Sequence, residues 1–359
     1  MKEKKRIVSM DLIRIFSCLC VITCHFNACV SGFSNGAFVY PNSVIPNFYL
    51  ENRIYLGDIG TSLFFILSGA SLMLSYRRGN LKKYYTKRIL AIYPMFYVAY
   101  FAATVADFLI LKWFPGADWK LLLFSLIGFD GYLASLGYIG FDFYKLGEWF
   151  LGCILSLYLV FPLLHKGIEK KPVLTVLLAG GLYILYRHWT KSQNAVFVAN
   201  YFFLRIPELL MGMLFVKYDL RNKPKRMLCI AATAAVLGWL LREHIAPLTL
   251  CVGVCMLLFA MLTWLGEKIK GVAFQKILVT LSNLTYPVFL VHHWMISRLV
   301  SGFDLAVLSR RDRYMFYLVY LLFSFLLAHF LKQTTDKILN AIRGLAVKET
   351  CTIESSGKP

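Results

Sequence analysis

Long apolar runs alternate with short polar segments along the whole chain, and the runs have the length of membrane-crossing helices. An α-helix needs about 20 predominantly apolar residues to cross the hydrocarbon core of a bilayer. Ten runs can do so, and they occupy residues 7–30, 57–76, 88–111, 148–164, 173–188, 200–217, 226–242, 246–265, 278–300 and 314–332. The pattern therefore predicts an all-α, polytopic integral membrane protein with about ten transmembrane helices.

An eleventh run, residues 119–136, is interrupted by Gly128, Asp130 and Gly131. Cytoplasmic loops of membrane proteins carry an excess of Lys and Arg, and this bias decides whether the run crosses. If residues 119–136 do not cross, the most basic connections lie on the same side of the membrane as both termini. That side then holds 26 of the 39 Lys and Arg, and the opposite side holds 10. We therefore expect both termini in the cytoplasm and a re-entrant or surface helix near 119–136.

Composition excludes a soluble domain and a nucleic-acid-binding protein. Of the 359 residues, 58% are hydrophobic and 16% charged, with a mean hydropathy of +0.62, whereas soluble domains are about 25% charged. The net charge of +20 is spread over short connections instead of one basic face. We expect a multi-pass protein of the plasma membrane, with a membrane-embedded domain at 1–332 and a cytoplasmic tail at 333–359 that forms a short surface helix followed by disorder.

Cysteine spacing indicates neither a disulfide framework nor a metal site. Four of the nine cysteines lie in the first apolar run, and none belongs to a CxxC or Cys/His metal pattern. We interpret them as small apolar helix residues.

Three ionisable residues interrupt the first apolar run, where a charged side chain costs several kcal/mol. They are Asp11, Arg14 and His25. Arg14 and His25 are eleven residues apart, which puts them within roughly 20° of one helix face and about 16 Å apart along the axis. The spacing favours one polar stripe at two depths. The alternative is that Arg14 extends to the headgroups beside Asp11 and that His25 packs against a neighbouring helix.

The ninth run carries two more histidines at a matching depth. His292 and His293 follow its inner end by about 14 residues, or roughly 21 Å. We therefore expect His25 and His292 to share a site in the outer half of the membrane. Imidazole is a general base suited to physiological pH and also a metal ligand. No metal is expected, because the sequence shows neither an HxxxH pattern nor a third ligand at helical spacing.

Further charged residues lie on the outer side of the predicted bundle. Arg205 and Glu208 are spaced i,i+3 in the sixth run, and Asp58 and Glu148 open the second and fourth runs. A buried structural ion pair is one interpretation of Arg205 and Glu208. A substrate-binding group is the other, since all four residues share the predicted side of the histidines.

Five motifs occur in order along nearly the whole chain. They are MDLIRIFSCLCVITCH with Asp11, Arg14 and His25; FFILSG with Ser68 and Gly69; KRILAIYPMF with Lys87 and Arg88; EWFLGCILSLYLVFP; and TYPVFLVH, which ends at His292. With these motifs the chain resembles membrane-bound acyltransferase family 3, the O-acyltransferases of bacterial surface polysaccharides and related acceptors. Small residues such as Ser68 and Gly69 also permit close helix packing.

The resemblance implies acyl transfer from a cytoplasmic acyl-CoA, most simply acetyl-CoA, to a hydroxyl of a cell-surface or lipid-linked carbohydrate. It implies that Arg14, Lys87 and Arg88 hold the CoA phosphates. His25 is then a general base or acyl carrier, assisted by His292 and Asp11. The acceptor would be held by the outer charged residues, which are Arg205, Glu208, Glu148 and Asp58. Membrane lipid is the remaining expected partner.

Two positions depart from the family pattern, and two other functions fit the same topology. Ala91 stands where many members have a second arginine, and Ile154 where many have a glutamate.

A transporter or flippase would also place buried His, Arg and Glu in its path. A non-catalytic sensing or anchoring module on the same scaffold is the other alternative. Donor-dependent acyl transfer distinguishes all three.

Overall fold

Helices make up almost all of the chain that the structure, a computed structural model, describes. The described residues are 6–31, 33–34, 37–38, 44–49, 53–76, 80–112, 119–139, 146, 149–192, 198–300, 302–303 and 308–356. Their α-helices are α1 (Val8–Ser31), α2 (Leu56–Ser75), α3 (Leu81–Leu111), α4 (Leu122–Leu126), α5 (Asp130–Ser135), α6 (Trp149–Lys170), α7 (Pro172–Ser192), α8 (Phe202–Lys217), α9 (Pro224–Leu240), α10 (Pro247–Lys268), α11 (Val272–Val300) and α12 (Arg310–Ser356). The all-α prediction is confirmed.

Within these residues, seven helices are long and apolar enough to cross a membrane. They cover Val8–Val30, Leu56–Ser75, Leu81–Ile110, Trp149–Lys170, Pro247–Lys268, Val272–Val300 and Arg310–Leu345. The other three predicted spans correspond to α7, α8 and α9, of which α8 and α9 have 16 and 17 residues. The chain is therefore a multi-pass membrane protein, as predicted.

In the part of the chain that the structure describes, strands are confined to two short antiparallel pairs in the connection between α1 and α2. Phe33–Ser34 (β1) pairs with Ala37–Phe38 (β2), and Phe48–Tyr49 (β3) pairs with Ile54–Tyr55 (β4). Asn27 of α1 donates a hydrogen bond of 2.6 Å to the side chain of Asn47. This bond ties the connection to the end of α1.

Four helices that carry residues of the predicted sites, α11, α1, α2 and α8, pack one against the next. α1 contacts α2, α10 and α11, while α2 contacts α8 as well. Around them, α6 and α7 pack on α8, α9 packs on α10, and α12 packs on α3 and α11. Polar groups of α1 consequently meet those of α11 inside the bundle, and polar groups of α2 meet those of α8.

Two glycines allow α2 and α8 to approach closely. A Cβ atom on Gly69 would lie 1.9 Å from the carbonyl oxygen of Leu209, and one on Gly212 would lie 1.8 Å from that of Ile66. Both distances are far below van der Waals contact, so only glycine fits. Gly69 therefore permits close packing of the two helices, as the sequence predicts for a small residue.

A proline in α6 frees a backbone carbonyl that α3 then binds. Pro162 has no N–H to donate to the carbonyl oxygen of Tyr158, four residues earlier. The hydroxyl of Tyr84 on α3 donates to this oxygen instead, at 3.0 Å. The exchange satisfies the carbonyl and fixes α3 against α6.

Residues 119–136 do not form one continuous helix. A 3₁₀ turn (Trp119–Leu121) leads into α4, and Gly128, with φ +75°, separates α4 from α5. That left-handed conformation suits glycine. Asp130 accepts hydrogen bonds from the Ser125 hydroxyl and the Gly131 N–H, at 2.5 and 2.9 Å. The same residues that interrupt the apolar run thus build the break between the two short helices.

The end of the chain differs from its prediction. α12 continues without interruption from Arg310 to Ser356, a helix of 47 residues. The expected short surface helix followed by disorder is wrong for residues 333–356, because the apolar segment and the polar segment that follows form one helix.

Candidate active site

Three imidazole rings meet where α1 packs against α11. The ring centroid of His25 lies 5.2 Å from that of His292 and 4.2 Å from that of His293, and the last two are 4.6 Å apart. Each ring offers one nitrogen to a set in which all atoms lie within 4.8 Å of one another. The structure thus brings together the two histidines that the sequence assigns to a shared site and adds a third.

Backbone carbonyls define which nitrogen of His292 carries the proton. Its Nδ1 lies 2.8 Å from the carbonyl oxygen of Phe289 and 3.2 Å from that of Val288. A carbonyl oxygen only accepts, so Nδ1 is the donor and Nε2 of the neutral ring keeps a lone pair. The ring is fully buried, whereas those of His25 and His293 are partly exposed.

His293 has no role in the sequence interpretation, although it adjoins His292. Consecutive helix residues point about 100° apart, so two neighbours seldom serve one site on their own helix. Here the ring of His25, on the facing helix, contacts both of them. The third imidazole therefore arises from packing between helices and not from spacing along one, and these three rings could hold a metal ion.

A second polar site lies toward the opposite end of α1. Arg14 and Arg88 line one cavity of about 170 Å³, together with Ser68, Ser71 and Tyr158. The guanidinium carbon of Arg88 lies 5.8 Å from the centroid of the Tyr158 ring. Two cationic and three hydroxyl-bearing side chains line this cavity, which suits an anionic ligand.

Lys87, which the sequence groups with these arginines, lies elsewhere. Its side chain is exposed, whereas that of its neighbour Arg88 is partly buried. Adjacent helix positions differ by about 100°, so only Arg88 reaches the cavity.

Asp11 lies with Arg14 and not with the histidines. Its buried carboxylate accepts two hydrogen bonds from Arg6, at 2.7 and 2.8 Å, and one each from Arg14 and Ser282, at 3.2 and 2.6 Å. Hydrogen bonding to Asp11 raises the pKa of Arg6. Fourteen residues separate Asp11 from His25, about 21 Å along the helix, so Asp11 orients Arg14 and has no direct contact with the imidazoles.

Arg205 joins two of the predicted acceptor-binding carboxylates in one buried network. Its guanidinium lies 2.7 Å from Asp58 and 2.8 Å from Glu208, and it donates to the Ala199 carbonyl at 2.7 Å. Ser62 donates to Glu208 at 2.5 Å. Arg205 and Glu208 are fully buried, while Asp58 keeps 22% of its side chain exposed. The arrangement fits the interpretation of Arg205 and Glu208 as a structural ion pair. The fourth residue of the predicted acceptor site, Glu148, lies outside the described residues.

A further ionic group adjoins the histidines. Asp107 on α3 is buried, accepts a hydrogen bond from Trp294 at 2.9 Å and lies 3.4 Å from the guanidinium of Arg298. Trp294 directly follows His293, so this group fixes the end of α11 that carries the imidazoles. An acidic residue within the third predicted span was the signal available in the sequence.

Comparisons with known proteins give a consistent result. A family model described as an acyltransferase domain matches residues 7–332. A curated relative, acyltransferase MdmB of Streptomyces mycarofaciens, is 30% identical over 172 residues, which are 47% of this chain and 41% of that protein. The match thus covers less than half of the relative's length. No solved structure matches the chain.

Proposed function

Because the chain belongs to the acyltransferase 3 family, we propose that it transfers an acyl group, most simply acetyl, from cytoplasmic acyl-CoA to a hydroxyl of a cell-surface or lipid-linked carbohydrate. The observation that carries this proposal is the presence of two polar sites on α1. Arg14 lines an anion-suited cavity, and His25, about 16 Å farther along the helix, belongs to the imidazole cluster. One site suits the charged donor and the other suits proton transfer.

In this proposal Arg14 and Arg88 bind phosphate oxygens of the donor. Guanidinium groups form strong hydrogen bonds with phosphate in partly dry sites. The cavity, at about 170 Å³, is smaller than the roughly 300–1,000 Å³ typical of sites for drug-sized ligands. It therefore accepts part of the donor, with the remainder toward the cytoplasm and the pantetheine arm directed to His25.

His25 is the general base of the transfer step. As the acceptor oxygen forms a bond to the thioester carbonyl carbon, His25 takes the hydroxyl proton. The carbon–sulfur bond then breaks, and the proton passes from His25 to the departing CoA thiolate. His292, whose Nδ1 is held by Phe289, offers its Nε2 lone pair to orient the His25 ring. In the alternative, a nitrogen of His25 first bonds to the carbonyl carbon as the carbon–sulfur bond breaks. The acceptor oxygen then bonds to that carbon as the carbon–nitrogen bond breaks, and the hydroxyl proton ends on the CoA thiolate.

The outer charged network shapes the acceptor side. Arg205 and Glu208 are fully buried and paired with each other, so they support the site indirectly, while the partly exposed Asp58 can accept a hydrogen bond from a sugar hydroxyl. The distribution of Lys and Arg supports cytoplasmic termini. A plasma-membrane location follows from a cell-surface acceptor.

The test compares base-labile acetate on isolated cell envelopes from a strain that lacks the gene. The strain is complemented with wild type, His25→Ala or His329→Ala at matched membrane levels; His329 lies on α12, bonded to Gln333. We expect wild type and His329→Ala to restore the acetate and His25→Ala to leave it absent. Restoration by His25→Ala would contradict the assignment of the base. Equal acetate in every strain would oppose surface acylation and favour a transporter or sensor.

A further inference from the structure

The nitrogens of the imidazole cluster lie close to the distances that a metal ion requires. Three atoms that are each 4.8 Å apart, the upper limit in this cluster, lie about 2.8 Å from their common centre, whereas zinc binds imidazole nitrogen at about 2.0–2.1 Å. A shift of about 0.7 Å by each ring would therefore complete three bonds. Side-chain rotation about χ angles provides such shifts without movement of α1 or α11.

The environment of His292 has the pattern of a metal ligand. Imidazoles that bind metals donate their second ring N–H to a carboxylate or carbonyl, which fixes the ring and its tautomer. Nδ1 of His292 makes this bond to Phe289 at 2.8 Å, with Val288 at 3.2 Å. With Nδ1 as the donor, the lone pair of the neutral ring lies on Nε2.

We propose that His25, His292 and His293 form a binding site for Zn²⁺ or a similar borderline divalent cation, with a fourth coordination position open. Three nitrogen ligands suit zinc, cobalt, nickel and copper. Calcium and magnesium require oxygen ligands, which these three side chains lack. Reactive zinc sites have three protein ligands and one open coordination position, whereas structural zinc sites have four protein ligands.

The site has a consequence for catalysis that rests on the proposed function. A bound ion takes the same nitrogen lone pairs that accept the acceptor's proton. Zn²⁺ therefore inhibits acyl transfer, and its removal by a chelator restores the reaction. The binding itself does not depend on acyl transfer and is measured separately.

The binding test uses the full chain purified in detergent and stripped of metal, with Co²⁺ as the spectroscopic probe. We expect wild type and His329→Ala to gain the visible absorption of tetrahedral cobalt, with one ion displaced by one Zn²⁺. In His25→Ala this spectrum is lost and the affinity falls at least about tenfold. An unchanged spectrum in His25→Ala, or none in wild type, would overturn the proposal.

A thermal unfolding measurement distinguishes the loss of metal binding from a folding defect. Zn²⁺ raises the Tm of a protein whose native state it binds. We expect the rise in wild type and its loss in His25→Gln, with both proteins unfolding at similar temperatures without metal. An equal rise in the two proteins would place the ion elsewhere and contradict the site. Transfer assays with and without Zn²⁺ then test inhibition, so failure of metal binding and failure of acyl transfer are distinguished.

Discussion

Ser282 donates a hydrogen bond of 2.6 Å to Asp11, which joins α11 to α1 far from the imidazoles that the same two helices share. The contact holds the two helices at one end, and the cluster of His25 with His292 and His293 forms toward the other. Asp11 thus positions α11 as well as Arg14. A residue that sequence motifs group with His25 therefore lies about 21 Å away from it.

Replacement of His25 is expected to abolish acyl transfer without a loss of folded protein. Positioned general bases contribute about 10²- to 10⁴-fold to rate, and the ring lies at the surface of the cluster and is not fully buried. Donor-dependent transfer of a labelled acetyl group in purified membranes measures the effect for His25→Ala, with His329→Ala as control. Activity within a few-fold of wild type would refute the role.

Arg88→Ala is expected to raise KM for acyl-CoA at least tenfold, with a smaller effect on KM for the acceptor. The guanidinium lines the cavity with Arg14, whereas the neighbouring Lys87 is exposed. Lys87→Ala is therefore the matched control and should change KM by less than about twofold, as expected for a screened surface charge. Equal effects of the two substitutions would show that both bind the donor.

Asp11→Asn is expected to lower the free energy of unfolding by about 2–3 kcal/mol, because the buried carboxylate accepts charged hydrogen bonds from Arg6 and Arg14. Thermal unfolding of the purified protein measures the loss. Ser282→Ala removes one neutral donor and should cost less. Loss of turnover in Asp11→Asn at unchanged stability and donor affinity would indicate a direct catalytic role instead.

Gly212→Ala is expected to destabilise the bundle by at least about 1–3 kcal/mol, since the added Cβ would meet the Ile66 carbonyl oxygen at 1.8 Å. Gly180→Ala on α7 is the control, because nothing lies within 4 Å of its added Cβ. The control should be neutral or stabilising, as alanine favours helix over glycine. Similar Tm values for both variants would exclude tight packing of α2 against α8.

Glu208→Gln is expected to be more harmful than the loss of both charges. Glu208→Gln leaves the buried Arg205 paired with the partly exposed Asp58. Removal of one partner from a buried pair costs up to about 3–5 kcal/mol, whereas apolar replacement of the whole pair is often neutral. The double variant Arg205→Met/Glu208→Leu should recover part of the Tm lost in Glu208→Gln. A further decrease would show that the pair itself stabilises the fold.

Apolar runs were sufficient to predict the helices because lipid requires every backbone group of a span to bond within its own segment. The helix boundaries differ from the ends of the apolar runs where charged residues extend a helix beyond its apolar part. α11 begins at Val272 and includes Lys276, although its apolar run starts at residue 278. The end of α12 was missed for the same reason, since a polar helix has no apolar signal.

The sequence predicts only those features of the site that depend on residue spacing within a single helix. The 100° rotation per residue places Arg14 and His25 on one stripe, but it says nothing about which helices face that stripe. The pairing of Arg205 with Asp58 and the contact of Asp11 with Ser282 depend on packing between distant segments. His293 joins His25 for the same reason.

The continuous α12 also determines where its own last turns lie. Its 47 residues give a rod about 70 Å long, and even at a tilt of 40° it extends about 54 Å along the membrane normal, beyond the roughly 45 Å of a complete bilayer. An unbroken helix cannot fold back onto the headgroups. Its last turns therefore extend into water, where a reporter group can be attached.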